Sequence, residues 1–263
     1  MAVSGPIGRT AAETAILYDA LLGLDDEPTL AAVRATHAHP GGLTGLSVGV
    51  SLDSPFAAWV PIHFDAAALE ALEFAAVHFS HLGHQVDEVS FTYDPGYADA
   101  FTAVWTANLT RLELDAGAET RLGSLARMFL ERARSTPPER LKTAVTAIRS
   151  FAADAVRHWS AYDIVMTPAL AFAPPRVGAF RALGPEGDYR LQCEWAPQTS
   201  MVNVAGVPAI TVPVHSSDEH TRSVQLIGRP GAETLLVRLA VQLAAYRGGP
   251  PRQHLGQRSS HSR

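Results

Sequence analysis

Apolar positions recur along this chain with two periods, close to four and equal to two, and the changes between them mark its elements. Ala15, Ile16, Ala20 and Leu21 repeat at helical spacing behind a Gly5-Pro6 turn. Thr10 and Glu13 stand in the Thr-x-x-Glu order of a capping box, and Gly23 supplies a left-handed stop. LSVGVSL alternates instead, which predicts a strand with Leu46, Val48, Val50 and Leu52 on one face. Asp65 then opens a helix in which Leu69, Leu72, Ala76, Phe79 and Leu82 recur at three and four as far as Gly83. HQVDEVSF, at 84–91, returns to the strand pattern. A strand, helix and strand joined this tightly form a βαβ unit, whose two strands are expected to be parallel.

The middle of the chain reads as helical over 96–114 and 119–134. Thr136, Pro137 and Glu139 predict another capped start, followed by a stripe of Leu141, Val145, Ile148, Ala152, Val156 and Trp159. YDIVMTP is a short buried strand ended by Pro168. The Pro- and Gly-rich stretch from 168 to 185 is long for a simple connection and is expected to be a loop on a pocket rim. PQTSMVNVAG predicts a short helix closed by Gly206, AITVPV and SVQLIG predict strands, and 232–246 a final amphipathic helix. Residues 248–263 lack apolar periodicity and are expected to form a disordered tail. No internal repeat is present.

Composition narrows the partners of this α/β pattern. With 47% hydrophobic residues in 263 the chain can bury a substantial core, and a formal charge of -5 gives no basic footprint for nucleic acid. No apolar run approaches the roughly 18 residues of a membrane span, and Asp19 interrupts the apolar run nearest Met1, which lacks the layout of a signal peptide. A single cysteine, Cys193, excludes an internal disulfide, so the cytoplasm is the expected compartment.

Sequence-local chemistry is sparse. There is no phosphate loop, no dinucleotide-binding glycine turn and no Gly-x-Ser-x-Gly elbow, and one cysteine cannot make a Cys-rich zinc site. His78, His81 and His84 are spaced at three, but only the first two share a helical face. They read as imidazoles favoured at a helix C-terminus by its dipole. His37 and His39 likewise lack a carboxylate at ligand spacing, so neither a metal nor a cofactor is expected. The 21 basic residues include a single lysine, Lys142, aligned with Thr146 and Arg149 away from the apolar stripe. It reads as a solvated surface lysine, leaving the chain without a Ser/Lys centre of its own. A Ser/His/Asp triad is recognised by geometry rather than chain order, so an independent hydrolase of that type stays open as an alternative.

SGPIGRTAAETAILYDALLG resembles the turn and helix that follow the catalytic core in the amidase signature family. LSVGVSL, LGHQVDEV, YDIVMTPAL, NVAGVPAITVPV and VQLIGRPGAETLLVRLA match further family segments in the same order. The resemblance implies part of a layered α/β/α fold, a mixed sheet flanked by helices, with 1–247 as the C-terminal portion of the domain. It also implies hydrolysis of small-molecule amides by a serine nucleophile, a second serine held by a cis peptide bond and a lysine, with backbone donors for the oxyanion. All of these belong to the family's N-terminal half. The Gly-Gly-Ser-Ser-Gly-Gly type of segment is absent here and Lys142 is not in the family's lysine position, so no catalytic residue is assigned within this chain. Ser4 to Arg9 then reads as the exit from a catalytic core that a truncated chain does not contain. By the same resemblance Thr167, Pro168 and Asn203 are substrate-pocket candidates, joined by Trp105 and Asn108. The expected state is a catalytically incomplete amidase fragment. Its alternatives are a partner subunit that completes a separately encoded N-terminal amidase fragment, or a homo-oligomer.

Overall fold

Five strands form one sheet in the order β2-β1-β3-β5-β4 in the computed structural model, which describes residues 3–112, 115–214 and 221–245. The βαβ unit is β1 (Ser47–Val50), α3 (Ala66–His81) and β2 (Gln85–Glu88), with β1 and β2 parallel and Val48 opposite Val86. Strand β3 (Ile164–Pro168) lies parallel to β1 on its other side. Strand β5 (Arg222–Gly228) runs antiparallel to β3 and to the edge strand β4 (Ala209–Val214), so Gln225 faces Thr167 on one side and Thr211 on the other. The sheet is mixed and flanked by helices, an α/β fold. The strands predicted over 46–52 and 84–91 are shorter than their alternation, because Leu52 already lies in an exit loop and β2 is an edge paired only with β1.

Helices α3 and α11 (Glu233–Ala245) cover one face, where Val48, Ile164, Met166, Val224 and Leu226 meet Leu72, Phe79 and Leu239. Behind them α1 (Ala11–Leu21) and α2 (Pro28–Ala38) pack Ala15, Leu30 and Val33 against Val237 and Val241. The other face presents Val165 and Ile227 to a helical layer. That layer holds α4 (Tyr97–Ala107), the short α5 (Ala116–Thr120), α6 (Ser124–Ser135) and α7 (Pro138–Trp159). It is completed by α8 (Ala179–Ala182), α9 (Gly184–Trp195) and α10 (Thr199–Ala205). Each large side chain fully buried in these layers contributes about 1.5–3 kcal/mol.

Several expectations need correction. In α1 the predicted stripe is rotated: Ala15 and Asp19 are buried, whereas Ile16 and Leu21 are exposed, because α2 and α11 pack against the small-residue side. Thr10 caps α1 by accepting from Glu13 N, but Glu13 reaches past Thr10 to Arg9, accepting from its backbone and guanidinium. The second capping box does not form, since Thr136 Oγ1 donates to Arg132 O and α7 starts after Pro137. The α7 core line is Ala144, Ile148, Phe151, Ala155 and Trp159, one position round from the predicted stripe at most turns. Helix α2, which the pattern did not indicate, is capped from a distance by buried Asp19, accepting from Thr29 N and Leu30 N at 3.0 Å each. The supposed loop over 168–185 holds α8 and the start of α9. Gly206, at φ 68°, closes α10 as expected, where a side chain would be strained. The predicted tail at 248–263 lies outside the described residues.

Candidate functional site

Parallel strands β1 and β3 end side by side, and ligands in open α/β sheets bind beyond such carboxyl ends. The loop after β1 brings Ser51, Asp53 and Ser54 there, the end of β3 brings Thr167 and Pro168, and the approach to α10 brings Gln198. Thr167 is fully buried; its Oγ1 donates to Pro168 O at 3.0 Å and accepts from Gln225 Nε2 at 3.2 Å. The Gln198 amide, also fully buried, donates from Nε2 to Ser51 O and Asp53 O at 3.3 and 3.2 Å. Its backbone carbonyl in turn accepts from Gln225 Nε2 at 3.5 Å. Two glutamines thus tie together three segments, giving donors to the Ser51, Asp53 and Gln198 carbonyls and to the Thr167 hydroxyl, and the Thr167–Pro168 end is held in one place.

The hydroxyls here are engaged in bracing. Ser51 Oγ donates to Asp53 Oδ2, which also accepts from Phe91 N at 2.6 Å. Ser54 Oγ donates to Pro197 O at 2.7 Å, and Ser200 Oγ shares a 2.9 Å hydrogen bond with Tyr97 OH. Desolvation pushes the Tyr97 phenol well above its ordinary value, so it stays protonated. None of these bonds joins serine to imidazole, the contact a Ser/His centre requires.

The five sequence-derived pocket candidates are not gathered at one point. Thr167 and Pro168 lie at the heart of the braced end. Asn203 is exposed on α10, one residue beyond buried Met201 and Val202. Trp105, 37% exposed on α4, stacks with Phe101 and Tyr189 and meets Phe129 edge-on at 4.9 Å. Asn108 is exposed just past α4, its Nδ2 at 3.5 Å from Val104 O. Gln198 was not among the candidates: its role comes from a distant pair of carbonyls that no local spacing announces.

The histidines do something other than predicted. His84 Nδ1 accepts from Leu46 N, which leaves its Nε2 to donate to Gln242 Oε1 at 3.1 Å. His78 Nε2 bonds Gln242 O at 2.9 Å, and Gln242 Nε2 donates to Pro40 O and Leu43 O. Burial lowers the pKa of both histidines, so they are neutral core groups rather than dipole-stabilised cations; His81 alone of the three is exposed. Among the described residues no three His, Cys, Asp or Glu side chains are grouped to hold a metal ion. Lys142 is exposed on α7, as its position in the pattern predicted.

The chain is 28% identical over 262 residues to an amidase-family protein of Synechocystis sp., covering 96% of this chain and 49% of that one. It is 30% identical to AmiB2 of Mycobacterium tuberculosis, covering 94% and 52% respectively. The chain therefore spans about half the length of the curated relatives it matches. The fold matches 6-aminohexanoate cyclic dimer hydrolase with a TM-score of 0.70 at 22% identity, over 90% of this chain and 53% of that one. It also matches a bacterial aryl acylamidase of the amidase signature enzymes with a TM-score of 0.67 at 16% identity, over 92% and 52%. The profile of the family described as Amidase matches residues 1–237, and the chain belongs to that family.

Proposed function

We propose that residues 1–247 act as the C-terminal, substrate-facing part of an enzyme that hydrolyses the C–N bond of small-molecule amides. The observation that carries this reading is the buried Thr167–Pro168 end, braced by Gln225 and Gln198 beside the end of β1, in a chain of the amidase family. Thr167 and Pro168 shape the floor, while Asn203 on α10, Trp105 on α4 and Asn108 just past it are assigned to the outer pocket by the family resemblance alone. The nucleophilic serine, its second serine and the lysine stand in the family's other half, so these residues position the substrate rather than attack it. In the complete reaction the serine adds to the carbonyl, the amine leaves with a proton, and water releases the acyl group.

A complementing N-terminal amidase half is the partner this chain fits, in preference to a second copy. Ile7, Leu21 and Leu22 are 93, 69 and 55% exposed, and β4 ends the sheet with Ala209, Thr211 and Pro213 exposed. Exposed apolar side chains and a strand edge with no neighbour among the described residues both favour association. No helix among the described residues is long and apolar enough to cross a membrane, and cysteine usage supports the cytoplasm as the setting. The test is aryl-amide turnover by the 263-residue chain alone and when supplied with the N-terminal half of its Mycobacterium relative. Turnover confined to the combination supports the assignment; equal turnover by the chain alone overturns it.

A further inference from the structure

Away from the braced strand ends, the helical layer contains a cleft of about 400 Å³ between α4, α6, the first turn of α7 and α9. Trp59 forms its apolar side, with the Arg190 guanidinium 5.1 Å from its ring centroid and donating to Trp59 O. Thr102 adds a hydroxyl bonded to Tyr189 OH at 2.7 Å. Two ion pairs cross the cleft: Arg140 on α7 with Asp99 on α4 at 2.6 Å, and Arg132 on α6 with Glu186 on α9 at 2.5 Å. The charges are sorted by wall. Both paired cations stand on the α6–α7 side and both carboxylates on α4 and α9, with Arg190 of α9 engaged on Trp59 instead.

We propose that this cleft binds a small zwitterion, an aminocarboxylate of about dipeptide size, with its carboxylate toward Arg132 and Arg140 and its ammonium toward Asp99 and Glu186. The side chains of these pairs are 34–71% exposed, and ion pairs so exposed are held weakly enough to open for a ligand. An anion alone that took an arginine would strand its carboxylate partner, and a cation alone would strand the arginine. A zwitterion re-pairs both, so the arrangement selects for two opposite charges on one molecule. The volume fits, since small-molecule pockets begin at about 300 Å³, and Trp59 offers a surface for an apolar body between the charged ends. Binding there needs no catalysis, so the site stands or falls separately from amide hydrolysis.

The test titrates the full 263-residue chain with glycylleucine, its N-acetyl form and its amide, followed by calorimetry and tryptophan fluorescence. Glycylleucine is expected to bind, with each capped form about tenfold weaker or worse. R140Q and D99N are each expected to weaken glycylleucine by about tenfold without moving the thermal midpoint, while R157Q, which breaks the exposed pair with Asp154 elsewhere on α7, leaves it unchanged. Capped forms that bind as tightly, cleft variants that bind like the parent chain, or no binding of glycylleucine at about 10 mM would each overturn the assignment.

Discussion

Gln225 holds a position in which one side-chain amide serves the end of β3 and the start of α10, donating to Thr167 Oγ1 and to Gln198 O. Replacing it with Leu keeps the volume and leaves those acceptors without their donor, at a cost of about 1–3 kcal/mol. In a chain of this size that lowers the thermal midpoint by roughly 2–4 °C for each kcal/mol. Calorimetric melting of Gln225→Leu checks the value, and an unchanged midpoint would show that the seam is not a brace. The neutral pair His78 and His84 makes a second residue-scale prediction. Their folded pKa values are depressed by burial, so as pH falls below about 6.5 the unfolded chain takes up protons first. Their contribution to stability is therefore present above that pH and lost below it. Urea unfolding between pH 7 and 5 should show falling stability, and His84→Asn should flatten the fall; a pH-independent midpoint would contradict it. The roles of the histidines and of Gln198 were invisible in the sequence because each depends on a partner more than a hundred residues away, Gln242 for the histidines and Ser51 and Asp53 for Gln198, and that of Gln225 depends on Thr167, on a strand not adjacent in the chain.

Elements were legible where their signals are local. Asp65 caps α3 by accepting from Ala68 N at 2.7 Å, Gly83 turns the chain into β2 at φ 84°, and the alternating runs became paired strands. Helix α2 escaped notice because its cap is Asp19, in the preceding helix. The face of α1 was misjudged because apolar periodicity marks Ile16 and Leu21, while the described neighbours pack on Ala11 and Ala15. Asp65 also shows how a local cap acquires a global task. Its carboxylate accepts from Ala173 N and pairs with the buried Arg222 of β5 at 2.9 Å. Asp65→Ala removes the cap together with one carboxylate that pairs with Arg222, and is expected to destabilise by more than the roughly 1 kcal/mol of a cap alone. Chemical denaturation provides the measurement, and a loss no larger than a cap alone, about 1 kcal/mol, would show that the ion pair contributes nothing.

At the scale of the whole molecule, one mixed sheet between two helical layers matches half of much longer amidase folds. Thr167 and Pro168 could be nominated from the sequence through the family resemblance, whereas the bracing that fixes them required the fold. The exposed apolar side chains of α1 and the edge of β4, which has no further strand neighbour among the described residues, agree with the proposal that pocket walls and nucleophile come from different halves. The most direct test is intact-mass analysis of the purified 263-residue chain after treatment with a serine-reactive fluorophosphonate. The predicted result is an unmodified mass. One adduct per chain, abolished by a single serine substitution, would place a working nucleophile within these residues and contradict the account.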